Sequence, residues 1–384
     1  MEDENNLKEL LGEKNILESF QKEEKQKIFS AKIGLSKILK RVSLVDRMLF
    51  TRYLSVMIKA GLSFSRALKV LSEQTKNQYF AEIIRQINDN VRKGESLADS
   101  LAKHPKVFNE LSVNMVRVGE TGGNLEEVLG NLAEQMKKDH EVVSKVRGAM
   151  VYPAVIFVAM IIIGILMMIF VIPTLLATFK ELKVELPFAT RVIIIVSDAF
   201  QNYGLFILAG MILSVWGFLA VIKTAKGKRY FDFLMLRLPI FGAIIKKVNL
   251  ARFSRTLSSL IESGVSINKS LDIISRTLTN TYYRESLESA AKEVQKGIDL
   301  SDTIGHHKKL YPVLMISMIK VGEETGTLGD SLKQVAEFYE EEVEQVTENL
   351  SSIIEPILMM IIGAAVGFFA ISMIQPMYSL MEGI

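Results

Sequence analysis

The sequence predicts an all-α membrane protein with two homologous helical bundles of about six helices each and three transmembrane helices. Three observations predict it. Three long apolar runs without a charge interrupt a chain in which 23% of residues are charged. One stretch of the chain recurs at a fixed offset of 203 residues. Between the apolar runs, hydrophobic residues recur at spacings of three and four, with no strand-like alternation.

The apolar runs come first. Met150 to Ile172 holds 23 uncharged residues, Gly204 to Ile222 holds 19 and Pro356 to Ile374 holds 19. At about 1.5 Å per residue each is long enough to cross a hydrocarbon core of roughly 30 Å. They explain a mean hydropathy of +0.25 in a chain otherwise rich in charge. A shorter run, Val192 to Val196, lies between Arg191 and Asp198 and reads as an interfacial or periplasmic helix.

Orientation follows from lysine and arginine at the span ends. Lys145 and Arg147 precede the first span, and Lys223, Lys226, Lys228 and Arg229 follow the second. The connection between them is balanced, and no Lys or Arg follows the third span. The N-terminus and both bundles are therefore expected in the cytoplasm, and the first connection and the C-terminus outside an inner membrane. The acidic run Glu337 to Glu348 before the third span adds little, because carboxylates count weakly in this rule.

The repeat sets the organisation. FTRYLSVMIKAGLSFSRAL from Phe50 maps onto FSRTLSSLIESGVSINKSL from Phe253, and VRKGESLADSL from Val91 onto VQKGIDLSDTI from Val294. VGETGGNLEEVL from Val118 maps onto VGEETGTLGDSL from Val321, Pro153 onto Pro356, and Pro173 onto Pro376. Each unit is a water-facing bundle running into a span. The second span lies outside the repeat and returns the chain, so that both copies share one orientation. The expected division is 1–45 a flexible charged segment, 46–148 bundle 1, 149–173 span 1, 174–203 an external connection, 204–222 span 2, 223–352 bundle 2, 353–375 span 3 and 376–384 an external tail.

Within each unit, Gly61 and Gly264 end a helix, with Ser63 and Ser266 placed to cap the next. Gly94 and Gly297 repeat this punctuation, with Ser96 as a cap in the first copy. The last helix, from about Asn124 or Thr327, is expected to continue into the membrane as one rod bent at Pro153 or Pro356. The first 45 residues, with eight acids and nine bases, lie outside the repeat. Ile28, Ala31, Leu35, Ile38 and Val42 there form an apolar stripe beside Lys32, Lys37, Lys40 and Arg41, suited either to a membrane surface or to the first bundle. The charged Met1 to Asn15 does not read as a secretory signal peptide.

Several function classes find no support. A net charge of +3 without a sustained basic stretch argues against direct nucleic-acid binding. The absence of cysteine excludes thiol catalysis and cysteine-ligated metals. There is no phosphate-binding G-x-x-x-x-G-K-[ST], no G-x-S-x-G and no H-E-x-x-H. The histidines His104, His140, His306 and His307 lack further ligands at fitting spacing, and they read as polar surface residues. The spans carry no ionisable residue, which argues against a small transporter, and only Asp198 lies near a span, against the paired aspartates of a membrane protease. No catalytic, cofactor or metal residue is assigned.

Two features remain as candidate contact sites. In V-G-E-T-G-G-N-L and V-G-E-E-T-G-T-L, Gly119 and Gly322 are read as helix stops, and Asn124-x-x-Glu127 and Thr327-x-x-Asp330 as the caps of the rods. Packing alone explains the glycines. The functional alternative has the turns, through Gly119, Glu120, Gly122, Gly123, Gly322, Glu323 and Gly326, meet a partner. In the third span, Gly363 and Gly367 form a G-x-x-x-G that lets another helix approach closely.

The Phe-x-Arg-x-Leu helix, the K-G-x-x-L segment, the V-G-E turn and the proline opening the span, all occurring twice, resemble the bacterial type II secretion F / type IV pilus platform protein family. The resemblance covers about residues 48 to 376. It implies a multi-pass inner-membrane protein with two cytoplasmic helical domains and three spans, without catalysis or cofactor. It implies partners as well: a hexameric secretion ATPase on the cytoplasmic side, pilin or pseudopilin subunits, other inner-membrane assembly proteins, membrane lipid and further copies of itself. A membrane anchor for a signalling partner is the remaining alternative, and it leaves the duplication unexplained.

Overall fold

The computed structural model describes residues 41–174 and 188–382. The N-terminal apolar stripe up to Lys40, residues 175–187 of the first connection and the last two residues lie outside the described residues. Every described regular element is helical. The chain divides into two compact units, one ending at Lys137 and the other running from Lys138.

The first unit begins with α1 (Leu44–Lys59), opened by a capping box the sequence reading missed: Ser43 Oγ accepts from Asp46 N–H at 3.0 Å and Asp46 Oδ2 accepts from Ser43 N–H at 3.1 Å. There follow α2 (Phe64–Gln74), α3 (Gln78–Arg92), α4 (Leu97–Ala102) and α5 (Glu110–Gly122). The long α6 (Leu125–Leu166) starts in this unit, and its membrane-directed part belongs to the second.

The second unit contains α7 (Phe188–Lys223), α8 (Ala225–Arg237), α9 (Phe241–Glu262), α10 (Ile267–Thr277), α11 (Thr281–Val294), α12 (Leu300–Gly305), α13 (Val313–Thr325) and α14 (Leu328–Glu382). Adding 203 to the bounds of α2, α4 and α5 reproduces those of α10, α12 and α13, and Leu125 becomes Leu328. Each bundle therefore repeats six helices, with α8 additional in the second. Gly61, Gly94, Gly264 and Gly297 all have φ between 83° and 91°, the left-handed region that ends a helix without Cβ strain. Ser96 caps α4 as read, accepting from Asp99 N–H at 3.0 Å. Ser63 and Ser266 do precede α2 and α10, but neither side chain makes a capping bond.

The cores repeat too. Phe50, Phe80 and Phe108 pack in the first bundle with ring centroids 5.5 to 6.2 Å apart. Their counterparts are Phe253, Tyr283 and Tyr311, with Phe253–Tyr311 at 5.9 Å and Tyr283–Tyr311 at 5.6 Å. The two added hydroxyls are satisfied. Tyr283 donates to Leu310 O at 2.9 Å and Tyr311 shares a 2.8 Å hydrogen bond with Ser286.

Among the described residues three helices are long and apolar enough to cross a membrane: Leu125–Thr174, Thr190–Lys223 and Leu328–Ile374. Val192 to Val196 lies in the part of α7 before Tyr203, where the helical backbone breaks (φ −125°, ψ 17°) and two helical segments meet. The uncharged run read as the second span starts directly after that break, at Gly204. Residues 376–382 continue α14 as helix. The segment of α7 before Tyr203 joins the other two spans. Ile193 is buried beside Ile172, with Met168, Ile194, Phe369 and Met373 around them. Ser197 Oγ donates to Met168 O and Thr190 Oγ1 to Ser372 O, each at 2.6 Å. Met168 lies in a π-helical turn, Met167–Val171. The wider turn loosens the local i to i−4 ladder, and such a turn leaves carbonyls for outside donors.

Candidate functional site

The repeated V-G-E segment is a built structure in both copies. Gly119 is buried inside α5, and a Cβ there would lie 2.8 Å from Val128 Cβ of α6. Gly322 is its counterpart in α13, where a Cβ would meet Leu328 Cα of α14 at 2.8 Å. These glycines do not stop their helices, contrary to the sequence reading. Their role is close packing of each helix against the start of the following rod. The stops come later, at Gly123 (φ 73°) and Gly326 (φ 72°), both left-handed. The sequence offered several glycines in this stretch, and the αL position was assigned to the wrong one.

The glutamates that follow are half-buried. Glu120 Oε1 accepts from Leu97 N–H at 2.7 Å and Oε2 from Ala98 N–H at 3.1 Å. Glu323 does the same for Leu300 at 2.6 Å and Ser301 at 3.0 Å. Each carboxylate thus caps the six-residue helix α4 or α12 from outside. What the turns present outward is Thr121, Gly122, Gly123 and Asn124 in the first copy and Glu324, Thr325, Gly326 and Thr327 in the second, all exposed. The rods start at Leu125 and Leu328, directly after Asn124 and Thr327, as read.

A second constellation surrounds the lower part of the rods in the second unit. Arg255 of α9 makes a two-pronged pair with Glu340 of α14, at 2.8 and 2.9 Å, and both side chains are only 12% exposed. Lys247 pairs with Glu342, and Arg252 of α9 with Asp139 of α6. Lys138 reaches Glu340 at 3.6 Å and Lys145 reaches Glu344 at 2.6 Å, linking α6 to α14. The acidic run before the third span, uninformative for topology, thus serves to tie two rods and α9 together.

Pro153 lies inside α6 and Pro356 inside α14, each with helix on both sides. Around Gly363 and Gly367 there is open space where a Cβ would stand, so among the described residues no helix packs on that stripe.

Elsewhere, two ionisable groups of the first bundle are displaced from their ordinary values. Asp99 is held below the ordinary carboxylate value by the Ser96 hydroxyl first and by Arg117 second. His104 is lowered by burial and then by Lys103. Among the described residues no three of His, Asp or Glu are placed to hold a metal ion. Each bundle is capped from within, and a long helix leads out of each, α6 from the first and α14 from the second.

The family model for type II secretion system (T2SS) protein F matches residues 50–173 and again 253–376. This chain belongs to the T2SS protein F family. Both ends of the two matched segments are 203 residues apart, which is the repeat offset seen in the sequence and in the helix bounds. The chain is 36% identical to a type IV pilus assembly protein PilC of Thermus thermophilus over 350 residues, covering 91% of this chain and 86% of the relative. It is 33% identical to a PilC of Myxococcus xanthus, covering 87% and 80%. It is also 33% identical to a type II secretion system protein F of Aeromonas hydrophila, covering 86% and 85%. The T2SS protein F family and its pilus relatives place the chain in type II secretion or type IV pilus assembly, and three membrane-crossing helices fit an inner-membrane protein.

Proposed function

We propose that this T2SS F family protein is a non-enzymatic inner-membrane platform that couples a cytoplasmic hexameric ATPase to the insertion of pilin or pseudopilin subunits into a filament. The observation that carries the reading is the continuity of α6 and α14. Each starts inside a bundle, against the V-G-E turn, and runs without interruption into an apolar span, α6 over 42 residues and α14 over 55. A helix resists bending along its axis, so a force on a bundle reaches the bilayer as a rigid-body motion and needs no chemistry. Pro153 and Pro356 each remove one backbone N–H from the ladder where the rods enter the apolar run, and we assign them as the bending points.

Lysine and arginine at the span ends favour both bundles and the N-terminus on the cytoplasmic side, where an ATPase would act. The exposed turn residues Thr121 to Asn124 and Glu324 to Thr327, and the Gly363 and Gly367 stripe, are the surfaces assigned to partners and to further membrane helices, other copies included.

The test is an insertion beside Ser144. One added residue turns the span by about 100° relative to the bundle, whereas seven restore the face after about two turns. Membrane-inserted protein with filaments lost after one residue, and partly regained after seven, is the expected result. Normal filaments with the single insertion would remove rigid coupling. Mild-detergent pull-down from native membranes should also recover a secretion-type ATPase and a prepilin.

A further inference from the structure

The second span turns directly into another helix. α7 stops at Lys223 and α8 starts at Ala225, with Thr224 alone between them. Thr224 Oγ1 caps α8 by accepting from Gly227 N–H at 3.1 Å. A Cβ at Gly227 would collide with Val221 O, so glycine lets the chain fold back this tightly. The Phe231 ring of α8 then meets the Phe218 ring of the uncharged run, 6.2 Å away and nearly perpendicular. α8 therefore lies against the end of the span, at the edge of its apolar run.

This helix has two opposed sides. At roughly 3.6 residues per turn, Arg229, Asp232, Phe233 and Leu236 fall on one and Tyr230, Phe231 and Leu234 on the other. The first side meets the second bundle. Asp232 Oδ2 accepts from Thr281 N–H at 2.8 Å and from Thr281 Oγ1 at 2.7 Å. Arg229 pairs with Glu285 at 2.9 Å, and Phe233 lies 6.1 Å from the Tyr282 ring.

The second side is apolar and open, with Tyr230 71% and Leu234 44% exposed. Cations border it: Lys226 and Arg237 along one edge and Lys228 along the other. Among the described residues no carboxylate pairs with Lys226 or Lys228, and Arg237 stands over the Phe233 ring at 4.5 Å. The one acid of α8, Asp232, is engaged by the bundle. An apolar stripe edged by cations and continuous with a span suits a membrane–water interface. The tyrosine sits at headgroup level there, and the lysines reach the phosphates.

We infer that α8 lies in the plane of the bilayer surface, with Tyr230 and Leu234 set among the lipids and Lys226, Lys228 and Arg237 forming a site for anionic phospholipid headgroups. Its other side, through Arg229 and Asp232, fixes the second bundle against the membrane. Nothing in this depends on the platform role.

The chain has no cysteine, so Tyr230→Cys or Leu234→Cys in the full-length protein carries a single fluorescent label. The labelled protein is reconstituted in mixed phosphatidylcholine and phosphatidylglycerol vesicles, with one or the other lipid brominated on its acyl chains. Bromolipid should quench both labels. A label at Ile298→Cys, exposed beyond the far end of α11, should stay bright. Brominated phosphatidylglycerol should quench more than brominated phosphatidylcholine at equal fraction. Lys226→Gln and Lys228→Gln should each reduce that preference by up to about fivefold. High salt should reduce it without any lysine substitution. Equal quenching by the two lipids, unmoved by salt or by the lysine changes, would overturn the anionic site. Labels quenched by neither lipid would overturn the insertion. They would do so in favour of a second copy or another protein if a water-soluble maleimide is also kept from the cysteines, and in favour of open water if it is not.

Discussion

Glu323 accepts the Leu300 N–H at 2.6 Å, and that bond, with its partner to Ser301, supplies the capping of α12 that Asp299 does not: the Asp299 side chain makes no capping bond. In the first copy Ser96 shares the task with Glu120. Removing the carboxylate leaves half-buried N–H groups unpaired. Glu323→Ala should therefore destabilise the second bundle by about 1–3 kcal/mol, and Glu120→Ala the first by about 1 kcal/mol. Denaturant-dependent proteolysis, with the cleavage sites mapped to each bundle, measures both. A loss of filaments with both stabilities unchanged would instead assign these glutamates to a partner.

Gly322→Ala places a methyl 2.8 Å from the Leu328 Cα, a backbone atom that cannot rotate away. α13 and α14 must separate at their junction. The expected cost is about 1–3 kcal/mol. Gly326→Ala strains the left-handed turn instead and should cost about 1 kcal/mol, without displacing α14. Comparing cysteine cross-linking between α13 and α14 in the two variants separates displacement from local strain. Equal effects would show that Gly322 is not a packing residue.

Much of this was legible in the sequence because the duplication states each structural requirement twice. The 203-residue offset, the six helices per bundle and the rods from Leu125 and Leu328 all follow from residues that recur. Where the reading failed, local chemistry was ambiguous. Val-Gly-Glu looks like a helix end, but which glycine takes positive φ depends on where α6 approaches, and that is a tertiary fact. The inward use of Glu120 has the same origin: the N–H groups it caps lie more than twenty residues earlier. Arg191 and Asp198 lie in the segment of α7 before the break at Tyr203, and the uncharged run begins just after it, at Gly204.

The Arg255–Glu340 pair is nearly buried and two-pronged, so its two halves are unequal to its whole. Glu340→Ala leaves a guanidinium with weaker compensation, from Glu337 at 3.9 Å. The expected loss is about 3–5 kcal/mol. Arg255→Met together with Glu340→Leu removes both charges and should cost much less than the sum of the single changes. A double-mutant cycle on thermal unfolding, followed by helical circular dichroism in detergent, measures the coupling. Additive losses would show that the pair is not closed off from water.

Alkaline stability should differ between the bundles. Burial raises the Tyr283 hydroxyl well above its ordinary value of 10.0 and also raises Tyr311, which the Ser286 hydroxyl only partly offsets. Because the folded values lie above the unfolded one, the unfolded chain loses these protons first as pH rises. The stabilisation is complete below about pH 10 and declines above it. The first bundle has Phe80 and Phe108 at the matching positions, which carry no hydroxyl to titrate. Proteolysis under mild denaturant from pH 8 to 11 should therefore open the second bundle preferentially at the alkaline end. Tyr283→Phe with Tyr311→Phe should flatten that dependence, at the cost of leaving Ser286 without its tyrosine partner. An unchanged alkaline slope in the double variant would place the sensitivity in other groups, with Tyr339, raised by burial and then by Glu342, the next to replace.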